Sequence, residues 1–317
     1  MSAYARLQER LKQGGTVLLD GGVGTEILRR GVYWRGHGLE RCPEIVEAVH
    51  ADYLAAGADL ISTNTFQLTR RSYLNLFQGL DHMRRIGPPG LENRAAELTR
   101  KAVEVAKRAR EKSQRQAAIA GSVSPLQHCY RPDLVPPDAD LHREHSETVN
   151  QLAAADVDLI LLETMNTVRE ARIALEAARA ARLPAWVSFV VDEKARLLSG
   201  ESLAEAVRAV EPLHPDVVLV NCAPPEDITA ALAELRRHRS GPIGAYAHIG
   251  HYNPPSWKAG FYPGFSGTEA WPPERYCGVA QKWLALGAQV IGSCCGTTPD
   301  HIRALKAALA ERQPARA

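Results

Sequence analysis

Three cysteines and two acids carry the strongest chemical signal in this chain. Cys222 follows the apolar run Val217–Val220 and an asparagine. Cys294 and Cys295 follow the run Gln289–Gly292 and a serine, 72 positions later. Thiolates are good zinc ligands, and a catalytic zinc site has three protein ligands and one open position. Structural zinc usually arrives on paired C-x₂-C knuckles, which this spacing lacks, so the trio reads as catalytic if it binds metal at all. Spacing alone also admits a vicinal disulfide between Cys294 and Cys295, or small buried core thiols. Asp20 opens the turn Asp-Gly-Gly-Val-Gly-Thr after the run Thr16–Leu19. Its glycines do not match G-x-G-x-x-G, and an acid just before them repels a pyrophosphate. Backbone amides at Gly21 and Gly22 can instead hold a carboxylate at the start of the next helix. Glu163 ends the run Ile-Leu-Leu-Glu. Asp20 and Glu163 could clamp an ammonium, or each could pair with an arginine. Amides at one end and carboxylates at the other describe a site for an amino acid.

Positioning these residues requires a scaffold that brings distant segments together. Eight short apolar runs recur: Thr16–Leu19, Leu60–Thr63, Ala117–Gly121, Leu159–Leu162, Ala185–Val190, Val217–Val220, Ile243–Tyr246 and Gln289–Gly292. Such runs suit parallel strands buried on both faces. Helical periodicity fills the gaps: Pro43–Ala56, Glu92–Lys112, His142–Ala155, Val168–Ala181, Ser202–Val210, Pro225–Arg239, Glu274–Leu286 and Pro299–Glu311. The alternation predicts an α/β fold, a (β/α)₈ TIM barrel, with an open doubly wound sheet as the competing topology. No low-complexity linker divides the 317 residues, so a single domain over 1–317 with its core at about 14–312 is expected. In a barrel, the strand ends and the loops after them form one mouth. Asp20, Asn64, Ser122, Glu163, Cys222, His248, Cys294 and Cys295 all fall there.

Composition excludes several function classes. A net charge of +2 gives no electrostatic case for nucleic acid. No apolar run approaches the roughly 18–20 residues of a membrane span, and the N-terminus lacks a secretory apolar region, so a cytoplasmic protein is expected. Six cysteines are too sparse for a disulfide scaffold in a chain this long. Cys42, Cys129 and Cys277 acquire no assigned chemistry. The sequence carries no mark of oligomeric state.

The chain resembles the zinc-dependent homocysteine S-methyltransferase family. The resemblance rests on LLDGGVGTEI (Leu18–Ile27), STNTFQ (Ser62–Gln67), AGSVSP (Ala120–Pro125), LLETM (Leu161–Met165), VNC (Val220–Cys222) and GSCCGTTPDHIRAL (Gly292–Leu305), in the family's order. It implies a TIM barrel with Zn²⁺ on Cys222, Cys294 and Cys295. It also implies that homocysteine binds by its thiolate to that zinc, with its amino-acid end against Asp20, Gly21, Gly22, Asn64 and Glu163. A free thiol titrates near 8.5, so metal bonding is what holds it as a thiolate at neutral pH. Attack on the methyl group of a small cationic donor then yields methionine.

The chain departs from the family after its seventh run, where Tyr-Pro-Asn-x-Gly is common and Tyr246-Ala-His-Ile-Gly250 stands here. His248 therefore either fills the fourth zinc position until substrate displaces it, or only hydrogen-bonds the mouth. The segment Ile249–Pro273 carries His251, Tyr252, Trp257, Phe261, Tyr262, Phe265 and Trp271, in a chain only 6% aromatic. Aromatic faces attract sulfonium groups, so this segment is read either as a lid over a cationic methyl donor or as a packed loop. No segment for cobalamin or folate, and no C-terminal extension of the kind betaine-using relatives carry, is expected. A sulfonium, S-methylmethionine or S-adenosylmethionine, is therefore the expected donor. The competing classes are the same chemistry with another donor or thiol, a zinc hydrolase using Asp20 or Glu163 as base, and a structural zinc barrel closed by His248.

Overall fold

Apolar runs become parallel strands here because both of their faces are covered, by helices outside and by one another inside. The structure is a computed structural model describing residues 1–32, 35–75, 77–254 and 264–311. Its strands are β1 (Val17–Leu18), β2 (Leu60–Ser62), β3 (Ala118–Val123), β4 (Leu159–Met165), β5 (Ala185–Val190), β6 (Val217–Asn221), β7 (Ile243–Tyr246), β8 (His251–Asn253), β9 (Gly264–Ser266) and β10 (Ala288–Ile291). Eight of them form one parallel sheet in the order β1-β10-β7-β6-β5-β4-β3-β2. The two ends of the sheet meet through a parallel bridge between Leu19 and Leu60, and the Asp20 amide donates to the Leu60 carbonyl at 3.0 Å. The ring is thereby closed, and the barrel expected from the sequence is the fold; the open sheet is excluded.

The helices are α1 (Ala3–Lys12), α2 (Val23–Arg29), α3 (Pro43–Ala56), α4 (Arg70–Leu74), α5 (Leu80–Ile86), α6 (Arg94–Ser113), α7 (Asp138–Ala154), α8 (Val168–Ala180), α9 (Leu203–Val210), α10 (Pro225–His238), α11 (Pro273–Ala285) and α12 (Pro299–Glu311). Start and stop signals hold where they are strong. Helix α3 begins at its proline and ends at Gly57 in the left-handed region, and α9 begins with a capping box between Ser202 and Glu205. Sequence reasoning missed α1, although Tyr4, Leu7 and Leu11 recur at helical spacing. Helix α1 buries these three under the barrel, where the Tyr4 hydroxyl accepts from the Trp186 indole N–H at 3.0 Å. The antiparallel pair β8–β9 lies in a segment expected to be irregular.

Strand alternation sorts the core. Val17, Leu60, Ala118, Ala120, Leu159, Leu161, Trp186, Val217, Leu219 and Val290 fill the barrel interior, and the intervening residues pack outward against the helices. Continuing the same period of two toward the mouth turns the inward set polar: Ser62, Ser122, Glu163, Ser188 and Asn221. No helix among the described residues is long and apolar enough to cross a membrane.

Candidate functional site

The β1 and β10 loops meet at a distance that only glycine permits. A Cβ on Gly22 would lie 2.7 Å from the Cys294 carbonyl oxygen and 3.0 Å from the Cys295 Cα, and one on Gly21 would lie 2.7 Å from Ser293 Oγ. The β10 loop is fixed from the other side by the β7 loop. Cys294 N–H donates to the Ala247 carbonyl (2.9 Å), and Ile249 N–H donates to that of Cys295 (3.0 Å). Cys222 stands just past β6 with φ of 54°, a left-handed conformation uncommon outside glycine.

These three loops bring the Sγ atoms of Cys222, Cys294 and Cys295 within 4.8 Å of one another. An ion with metal–sulfur bonds of about 2.3 Å holds tetrahedral sulfurs about 3.8 Å apart, so the trio suits a thiophilic divalent metal with one position left open. All six cysteines are free thiols, so Cys294 and Cys295 form no vicinal disulfide. Hydrogen bonds from the Cys294 and Cys295 thiols, and from His248, favour the thiolate of Cys222. His248 is buried beside Cys222, its ring 5.1 Å from that of Phe265, but its nitrogens lie outside the mutually close trio.

A cavity of about 140 Å³ opens over the sulfurs. By the same measure a water needs roughly 10–15 Å³, so the space suits a small amino acid. Asp20, Gly21, Gly22, Asn64, Glu163 and the three cysteines all line it, while His248 does not. Asp20 is buried, and both its oxygens accept from Ser62: Oδ2 takes the amide at 2.7 Å and each oxygen lies 3.1 Å from the hydroxyl. Glu163 accepts from the Ser122 hydroxyl. Burial pushes the Glu163 carboxyl up to about 7, with hydrogen bonding from Ser122 opposing the shift. Burial also raises Asp20, and the nearby Glu163 charge adds to it. Neither acid has an ion-pair partner among the described residues, and no lysine or arginine lines the cavity. The arginine pairing left open by the sequence is therefore not made among the described residues. The amides of the glycine turn are partly engaged already: Val23 N–H donates to Gly21 (2.8 Å), and Gly22 N–H faces Thr297 Oγ1 at 3.5 Å. Asn64 lends its side-chain N–H to the His37 carbonyl at 2.7 Å.

The opposite wall is aromatic. Tyr130 and Tyr252 meet edge to face at 4.8 Å, Tyr252 and Phe265 at 5.9 Å, and His128 bonds the Tyr252 hydroxyl at 3.0 Å. The Tyr130 hydroxyl lies 3.2 Å from Cys222 Sγ. Tyr252 and Phe265 come from the aromatic-rich segment identified in the sequence. Trp257, Phe261 and Tyr262 lie outside the described residues. Trp271 is elsewhere, under the Arg275 guanidinium at 3.9 Å, with its carbonyl accepting from His301. His128, Cys129 and Tyr130 were missed as site residues. They sit on the long loop after β3, which Asn166 anchors through the Cys129 carbonyl (2.9 Å) and buried Glu170 through the Leu126 amide (2.8 Å). Loop length was the only sequence signal for them. Cys42 and Cys277 lie in the helical layer.

Residues 17–309 match the family described as homocysteine S-methyltransferase. The chain is 32% identical over 331 residues to the homocysteine S-methyltransferase of Escherichia coli (strain K12), spanning 97% of this chain and 99% of that protein. It is 28% identical over 345 residues to a selenocysteine Se-methyltransferase of Brassica oleracea var. italica, spanning 98% and 94%. Among solved structures, the metallated form of the homocysteine methyltransferase from Escherichia coli aligns with a TM-score of 0.77 at 29% identity, spanning 95% of this chain and 99% of that one.

Proposed function

Because the chain belongs to the homocysteine S-methyltransferase family, we propose that it moves a methyl group from a small sulfonium donor to the sulfur of homocysteine, at a zinc site made by Cys222, Cys294 and Cys295. The observation that carries this reading is a pair of carboxylates, Asp20 buried and Glu163 half-buried, with no cationic partner among the described residues, sharing an amino-acid-sized cavity with three clustered thiols. A buried anion without a partner is costly, and a substrate ammonium removes that cost. Asp20 and Glu163 would receive the ammonium of homocysteine, with Ser62 and Ser122 holding each carboxylate in place. The Gly21–Gly22 turn and Asn64 would border its carboxylate. That orientation leaves the side-chain sulfur at the cysteine end. When bound there, zinc would lower the thiol's pKa and keep the sulfur as a thiolate at neutral pH.

The chain's own residues then need only align a donor. Tyr130, Tyr252 and Phe265 present ring faces and edges to the cavity, and each cation–π contact contributes about 0.5–2 kcal/mol. The methyl–sulfur bond of the donor breaks as the new one forms, a neutral sulfide leaves, and no general acid is required. S-methylmethionine and S-adenosylmethionine both carry such a sulfonium. His248 serves in this reading as a hydrogen-bond donor to Cys222 rather than as the fourth ligand. We read residues 1–317 as one homocysteine-binding barrel domain. Free thiols at the site fit a reducing cytoplasm.

A product assay tests the proposal. Zinc-loaded protein with homocysteine and S-methylmethionine should yield two methionines per turnover, one from each substrate. With S-adenosylmethionine it should yield one methionine and one S-adenosylhomocysteine. Turnover with betaine or a methylfolate but with neither sulfonium would overturn the donor assignment. Selenocysteine belongs in the acceptor panel, given the relative named for it.

A further inference from the structure

Strand β4 breaks register between Leu162 and Met165, which pair with Val187 and Phe189 of β5. Such a bulge leaves a backbone group without its ladder partner and re-aims the neighbouring side chains. Here it sits between Glu163 and Thr164, and Thr164 adopts φ of 62°. That conformation is poor for any β-branched residue, and something must hold it. Buried Asn221 does so from two strands away. Its Oδ1 accepts from the Thr164 amide (3.1 Å) and from the Ser188 hydroxyl (2.7 Å), and its Nδ2 donates to Thr164 Oγ1 (2.9 Å). The next residue in the chain is Cys222, itself left-handed at 54°.

We propose that Asn221 is a positioning residue that ties the carboxylate end of the site to its sulfur end. Its amide spans β4, β5 and β6 and sets Glu163, one residue before Thr164, against Cys222, one residue after Asn221. The amide accepts from the Thr164 N–H and donates to Thr164 Oγ1 from one short side chain, without the buried charge that aspartate would add. Asn221 does not line the cavity, so it acts only through its neighbours. The inference rests on the proposed roles of Glu163 and Cys222.

The test compares Asn221→Ala, Thr164→Gly and the double variant. It measures zinc per chain, the thiolate-to-metal absorption of cobalt-loaded protein, Tm, and the KM and kcat for homocysteine at saturating donor. Asn221→Ala should keep one metal per chain and raise the homocysteine KM by roughly 10–100-fold, the usual range for losing a partner that orients site residues. Thr164→Gly in the same chain should recover several-fold of that loss, because glycine takes the left-handed conformation unaided. A wild-type KM in Asn221→Ala, or a lower Tm alone, overturns the inference, as does a double variant no better than the single one. If Asn221→Ala fails to fold, Ser188→Ala loosens the same amide by one hydrogen bond and should raise the KM about 2–10-fold; an unmoved KM there also overturns it. A wild type that does not methylate homocysteine overturns the reading of the site itself, and this inference with it. Normal wild-type turnover with an unmoved variant overturns this inference alone.

Discussion

Replacing Glu163 with glutamine should stabilise the metal-free protein at neutral pH while weakening its hold on homocysteine. Burial raises the Glu163 carboxyl from an ordinary 4.5 to about 7, so the fold disfavours its charged form. The sign follows from linkage. Below the unfolded value of 4.5 both states are protonated and burial carries no ionic cost. As pH rises toward 7 the unfolded chain releases its proton first, and stability falls. At about 1.36 kcal/mol per pK unit, the separation corresponds to roughly 3 kcal/mol by pH 8. Glutamine keeps an acceptor for the Ser122 hydroxyl and has nothing to titrate, so it escapes this cost. With an unfolding entropy of about 2.1 cal/mol/K per residue, the gain amounts to about 4–5 °C in Tm at pH 8, and it vanishes at pH 4.5. Thermal melts of both chelator-treated proteins across that range measure it directly. The same variant loses a charged partner for the substrate ammonium, worth about 1.5–3 kcal/mol, so its homocysteine KM should rise roughly 10–150-fold. A stability difference that stays flat between pH 4.5 and 8, or that favours the wild type at pH 8, refutes the reasoning.

Other outcomes follow from the same geometry. Cys222→Ser should drop metal content well below one ion per chain and abolish methyl transfer, as checked by elemental analysis and methionine production; full metal retention would place the ion elsewhere. Gly22→Ala drives a methyl group against the Cys294 carbonyl. It should cost roughly 10–100-fold in metal affinity, read by competition with a chromogenic chelator, and wild-type affinity would show that the β10 loop can yield. His248→Ala should leave one metal per chain and change kcat about 2–10-fold, the effect of one hydrogen bond to Cys222; a lost metal would instead make the histidine a ligand.

Much of the architecture was legible in one dimension because strand alternation and helical spacing are local properties. Each apolar run declared itself a strand buried on both faces, and the polar residue that ended it pointed to the mouth. Asp20, Glu163, Cys222, Cys294 and Cys295 could therefore be assigned to one site before any coordinates. The glycines of the β1 turn were visible, but not how closely they are approached. Their main constraint is the approach of the cysteine loop, a contact between residues more than 270 positions apart. His128, Cys129 and Tyr130 had no period to reveal them, since Asn166 and Glu170 fix their loop by long-range hydrogen bonds. His248 was identifiable as a departure from the family, yet only the fold sets it beside Cys222 and outside the sulfur trio. The sequence by itself determined which residues face the barrel mouth, because facing depends on a period of two. Which of them touch depended on tertiary structure: the closure at Leu19–Leu60, the bulge in β4 and the amide of Asn221 set distances across strands, and no local periodicity encodes a distance between strands.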